Sequence, residues 1–106
     1  MKFSEEMKTK DRIEFLERYI LVHSYLYYHM DESVISDKKF DKCARLLACK
    51  IQKLQSKIQK TQYGYVFYDF DGNTGFDLID RLKSQDRKRI KDVATTVLKN
   101  YKRGYR

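Results

Sequence analysis

The stretch Tyr25-Leu-Tyr-Tyr-His-Met-Asp-Glu-Ser-Val-Ile-Ser-Asp-Lys-Lys-Phe-Asp41 decides how this chain folds. It holds the end of one amphipathic segment, a polar break and the start of another. Upstream, Ile13, Leu16, Ile20, His23 and Tyr27 recur at three- and four-residue steps, which is the spacing of one helical face. Downstream, Phe40, Ala44, Leu47, Ile51, Leu54 and Ile58 repeat the pattern. Between them Asp31, Glu32 and Ser33 offer side-chain oxygens that compete with helical bonding, so the first helix stops near Met30–Ser33. The spacing predicts a first helix over 4–29, with Ser4 as N-cap and Glu5 and Glu6 at the positive end of the dipole. A second helix, capped by Ser36 or Asp37, is predicted to run to about Gln62. So short a connection makes antiparallel neighbours, hence a helical hairpin over 1–62. The near-heptad run from Leu47 to Ile58 leaves pairing with a second chain as the alternative.

Beyond the hairpin the character changes. Tyr65-Val-Phe-Tyr68 is β-prone and Asp71-Gly-Asn-Thr-Gly75 is a turn cluster, so one short strand or hairpin is predicted around 64–71. Residues 76–82 suit a helical turn. Ser84 is predicted to cap a last helix with Ile90, Val93, Ala94, Val97, Leu98 and Tyr101 on one face, ended by Gly104. The fold class is mainly α: an antiparallel hairpin plus a C-terminal helix. At 106 residues the chain is one domain, divided into the hairpin (1–62) and an extended segment with a basic helix (63–106).

Composition narrows the partners. Apolar residues make up 42% of the chain, enough for a core despite 36% charged residues, and there is no proline to interrupt a helix. A formal charge of +8 favours anionic partners: nucleic acid, a nucleotide or an acidic protein surface. The excess is uneven, with ten Lys/Arg against four Asp in residues 77–106. Cys43 and Cys49, six apart on a helix, fall on different faces with no metal-ligand spacing, and are read as buried structural thiols in a reducing compartment. No signal peptide and no membrane-length apolar run is visible, so a cytoplasmic protein without a membrane partner is expected.

Tyr27, Tyr28, His29 and Phe40 bring stacking faces, and Asp31, Asp37 and Asp41 bring acceptors, into seventeen residues. Aromatic faces attract flat cations, and carboxylates accept from hydroxyls and amides. Positions 37 and 41 share a helix face, and a hairpin sets them beside Tyr27. These groups suit a cationic heterocycle carrying a ribose. They also suit plain packing and helix capping, and the residues alone leave both readings open.

The order Tyr27-Tyr28-His29-Met30-Asp31, then Val34-Ile35-Ser36-Asp37-Lys38-Lys39-Phe40-Asp41, resembles the small N-terminal domain, Ia, of the bacterial NAD-dependent DNA ligases. That family shows an aromatic pair, an aspartate, a short loop ending in Ile-Pro/Ser-Asp, and Tyr-Asp two residues on. The likeness covers roughly residues 10–60. It implies a grip on the nicotinamide mononucleotide half of NAD by Tyr27, Tyr28, Asp37, Phe40 and Asp41, with Phe40 where the family has tyrosine. It also implies an origin in a phage or mobile element that reuses a host ligase fold. The Lys-x-Asp-Gly motif of the ligase catalytic domain is absent, and a non-enzyme with no catalytic residue is expected. No cofactor is required; NAD or nicotinamide mononucleotide is the expected ligand.

Two further patterns stand in the second half of the chain. Asp69-Phe-Asp-Gly-Asn-Thr74 looks like the Asp-x-Asp-Gly-Thr of haloacid-dehalogenase-type phosphatases, but an asparagine interrupts it and little chain follows. Asp69, Asp71 and Asn73 have calcium-loop spacing without the closing glutamate, so no metal site is expected. In the last helix, Arg87, Lys88, Arg89, Lys91, Lys102 and Arg103, with Tyr101 and Tyr105 interleaved, suit an acidic partner. The alternative function is therefore an anti-defence type of protein. It would bind and inhibit or modulate a host ligase or a nucleic-acid-targeting complex, or contact nucleic acid itself. His23 sits on the apolar stripe and is read as packed, not as a base.

Overall fold

The computed structural model describes residues 2–53, 61–72 and 77–103, with side chains from residue 10 onward. Helix α1 spans Lys2–His29, α2 spans Asp37–Lys53 and α3 spans Ser84–Lys102, with a 3-10 turn at Ile79–Arg81 before α3. The mainly α class holds. Ser4 lies inside α1 and does not begin it.

Helix α1 is the element on which both other helices pack. Ile13, Leu16, Ile20 and His23 are buried on one side, Glu17, Leu21 and Ser24 on the next, and Val22 and Leu26 on the third. Burial this wide shows that α1 is gripped from two directions, by α2 and by α3. Helix α2 gives Ala44, Leu47, Ala48 and Ile51 to the core, and α3 gives Ile90 and Ala94. Val93 and Tyr101, expected on the apolar face of α3, are about half exposed. Leu54, Ile58, Asn73 and Gly104 lie outside the described residues, but α2 does not reach Gln62, because Thr61 onward is turns.

Among the described residues there is no strand. Over 61–70 the backbone closes a series of three-residue-back bonds: Gly64 to Thr61, Val66 to Tyr63, Phe67 to Gly64 and Phe70 to Phe67. The buried side chains of this segment are Tyr63, Val66, Phe67 and Phe70. Their spacing is three and four, not two, so burial selects a coiled path over the intrinsic β preference of Tyr-Val-Phe-Tyr.

Polar side chains fasten this segment at both ends. Glu17 accepts from the Thr61 hydroxyl (2.9 Å) and Glu14 from the Gln62 N–H (2.7 Å). Arg81 donates to the Val66 carbonyl (3.0 Å), to Asp69 and to Asp77 (3.1 Å), and lies 5.1 Å from the centre of the Tyr68 ring. Tyr65 donates to Asp86 and accepts from the Lys83 N–H (3.0 Å), which ties the segment to the start of α3. Lys83 occupies the cap position of that helix and Ser84 is its first turn, with no side-chain cap bond.

Candidate functional site

The turn between α1 and α2 is built to end one helix sharply and begin the next. Asp31 adopts φ +53°, a left-handed conformation that Asp tolerates better than most residues. The chain then folds back, with the Met30 N–H on the Tyr25 carbonyl and the Glu32 N–H on that of Leu26 (2.9 Å). Ser36 starts α2: its hydroxyl accepts from the Lys39 N–H (3.1 Å) and its carbonyl accepts from the Phe40 N–H (3.0 Å).

This geometry opens a cleft of about 710 Å³. One wall is the last two turns of α1, with His23, Tyr27 and Tyr28; the second is the loop from Glu32 to Ile35. Asp37, Phe40, Asp41 and Arg45 of α2 form the third, and the Asp71–Gly72 turn closes the fourth. All five residues singled out for nucleotide binding, Tyr27, Tyr28, Asp37, Phe40 and Asp41, therefore line one hollow. His29 and Asp31 do not line it. The His29 ring stacks on Tyr25 at 5.0 Å, and Asp31 serves the helix exit.

The Tyr27 and Tyr28 rings meet edge to face, with centroids 4.8 Å apart and planes at 83°. Both are exposed, at 52% and 43%. Each therefore presents a face at roughly a right angle to the other. Phe40 is half-buried and leans on the core. His23 is held neutral: burial, helped by the charge of Lys39, lowers it to about 4. The cleft thus combines aromatic faces with Glu32, Asp37, Asp41 and Asp71, against Arg45 as the one permanent cation among its described lining residues. Its volume falls within the range of small-molecule sites.

Arg45, Asp71, Gly72, Glu32 and His23 were not foreseen as lining residues. Arg45 had a signal, since it lies four residues after Asp41 and hence on the same face of α2. Asp71–Gly72 had none, because a turn dipeptide does not say which helix it will land on. Gly72 takes φ +90°, and a Cβ there would meet the Cα of Arg45 and the Cβ of Ala48, each at 3.4 Å. The second half of the chain, expected to act separately, supplies a wall of the same cleft.

The basic residues of α3 fall into two groups. Arg87, Lys88, Arg89 and Lys91 are exposed in its first two turns; Lys102 and Arg103 are exposed at its far end, about 20 Å away at 1.5 Å per residue. Lys102 pairs with Glu32 of the cleft at 3.3 Å, so this end of α3 borders the cleft and the other does not. Cys49 is exposed and Cys43 only half-buried, both as free thiols, which corrects the reading of two buried cysteines. Position 49 points away from the seam that carries Leu47, Ala48 and Ile51. Among the described residues no cluster of His, Cys, Asp and Glu is arranged to hold a metal ion, and no helix is long and apolar enough to cross a membrane.

Among the described residues these features define three α-helices with an aromatic–carboxylate cleft at the mouth of a helical hairpin. Comparison with protein-family models, with curated proteins and with solved structures finds no match. What the cleft can bind is thus read from its own residues.

Proposed function

We propose that this chain is a non-catalytic module, similar to the Ia domain of NAD-dependent DNA ligases, that binds the nicotinamide mononucleotide part of NAD. One observation carries the reading: the five residues from two helices that the resemblance implies share the lining of one cleft. The pyridinium ring stacks on a face of Tyr27 or Tyr28, with the other ring against its edge, where cation–π attraction adds to burial. Asp37 and Asp41, one turn apart on α2, accept from the ribose hydroxyls and the carboxamide. Phe40 adds apolar contact without the hydroxyl that the ligase pattern has at this place, a loss of about 0.5–1.5 kcal/mol if a bond was made there.

The test is calorimetric titration of NAD and of nicotinamide mononucleotide into wild type and Asp41→Ala. Wild type should bind both, and Asp41→Ala should bind about tenfold more weakly, the loss of one hydrogen bond to a charged group. No heat from wild type at millimolar ligand removes the proposal.

A second reading is favoured by the exposure of every cation in the first two turns of α3. There the chain would dock an acidic surface on a host nucleic-acid enzyme or defence complex and inhibit it, as a phage or mobile-element product would. Charge reversal at Arg87, Lys88 and Arg89 should then abolish inhibition of that partner and leave nucleotide affinity intact.

A further inference from the structure

We infer that Arg45 is a phosphate anchor, which makes the cleft selective for the phosphorylated mononucleotide over its nucleoside. The inference rests on the nicotinamide reading of the cleft and goes beyond it by naming what holds the far end of the ligand.

Three observations converge. Arg45 lines the cleft, yet its exposed side chain makes no hydrogen bond or ion pair with another described residue. Among the described lining residues no other cation serves an anion there: His23 is buried and neutral, and Lys102, at the border, is paired with Glu32. An arginine kept open beside Asp41 in an acidic hollow has no structural task among these residues, whereas its planar five-donor fork matches a phosphate.

Position supplies the second argument. Arg45 lies five residues beyond Phe40, an axial rise of about 7.5 Å along α2. That span is comparable with a ribose and its 5′ linkage. Arg45 therefore lies further along α2 than Phe40 and the tyrosine side of the cleft, with the Asp71–Gly72 turn laid against its backbone. The hollow therefore offers a partner to each charge of a zwitterion. Aromatic faces and carboxylates meet the cationic ring, and a guanidinium meets the phosphate dianion.

The experiment titrates nicotinamide mononucleotide, nicotinamide riboside and nicotinamide into wild type and Arg45→Gln, with thermal melts to confirm that both fold. Wild type should bind the mononucleotide about tenfold or more tightly than the riboside, and Arg45→Gln should bring the two together by weakening only the mononucleotide. The mononucleotide preference should also shrink as pH falls below about 6, where the phosphate dianion takes up a proton and becomes a monoanion. If wild type binds none of the three, the nicotinamide reading itself fails. If it binds mononucleotide and riboside equally, or if Arg45→Gln weakens both alike, the cleft stands and the phosphate anchor does not.

Discussion

The cleft and the 61–83 segment are made from the same residue types, yet they treat them oppositely. In the segment, tyrosine, aspartate and arginine engage one another. Arg81 holds Asp69, Asp77 and the Val66 carbonyl beside the Tyr68 ring, and Tyr65 joins Asp86. Arg81 keeps the Asp69 carboxyl below the usual carboxylate range, while burial and the bond to Asp86 push Tyr65 up to about 12. In the cleft, Asp37, Asp41 and Arg45 make no such bond with a described side chain. Arg81 is thus engaged by the fold, whereas Arg45 has no such partner among the described residues. The contrast between Arg81 and Arg45 is what the proposed role of the cleft rests on.

Each region also receives one buried titratable side chain from α1, and these give the largest expected effect. Glu17, on the segment side, is fully buried; desolvation outweighs the Thr61 bond and raises it from 4.5 to about 7. Glu14 adds to the rise and Arg18 opposes it. Folding therefore takes up a proton, and stability falls by about 3 kcal/mol as pH rises from about 4.5 to about 7. His23, on the cleft side, is lowered from 6.5 to about 4. Folding there releases a proton, so stability is full above about 6.5 and falls by a similar amount as pH drops through about 4. Between about pH 4.5 and 6.5 the two slopes cancel. Urea midpoints across this range should be nearly flat for wild type. They should rise with pH for Glu17→Gln and fall with pH for His23→Gln. An unchanged profile in Glu17→Gln would show that the segment does not bury a carboxyl.

The sequence carried the first half of this contrast and not the second. The break between α1 and α2, with Ser36 as one of two cap candidates, was legible because short-range rules govern it: apolar spacing, side-chain capping, a brief connection; the start of α1, the end of α2 and the cap of α3 were not. The path of 61–70 was legible too, in the three-and-four spacing of Tyr63, Val66, Phe67 and Phe70, but β-branched and aromatic propensity masked it. The landing of Asp71–Gly72 on α2, the pairing of Lys102 with Glu32 and the burial of Glu17 are long-range. No local pattern specifies them, because they depend on how α1 is gripped from two sides.

A smaller effect separates the two arginines. Arg81→Met removes a bond to a backbone carbonyl and a ring contact, and should cost about 1–2 kcal/mol in urea unfolding. Arg45→Met should stay within about 0.5 kcal/mol of wild type, as exposed positions without a structural partner do. Equal losses would erase the distinction between engaged and open cations on which the phosphate anchor depends.

The smallest effects come from the two positions where, among the described residues, the backbone itself takes a positive φ, Asp31 at the exit of α1 and Gly72 at the far wall of the cleft. At Asp31, φ +53° is tolerated with mild strain, so Asp31→Gly should leave stability within about 1 kcal/mol of wild type, relief of strain offsetting the freer unfolded chain. At Gly72, φ +90° disfavours any side chain, and Gly72→Ala should cost about 1 kcal/mol. The informative readout is not the melting point but its coupling to the ligand. A Cβ at 72 sits against Arg45 and Ala48, so relaxing the strain moves the turn away from α2 and widens the end of the cleft that Arg45 occupies. Mononucleotide affinity should fall severalfold in Gly72→Ala, with riboside affinity nearly constant and Asp31→Gly unaffected in both. A loss confined to stability would mean that the second half of the chain merely abuts the cleft and takes no part in shaping it.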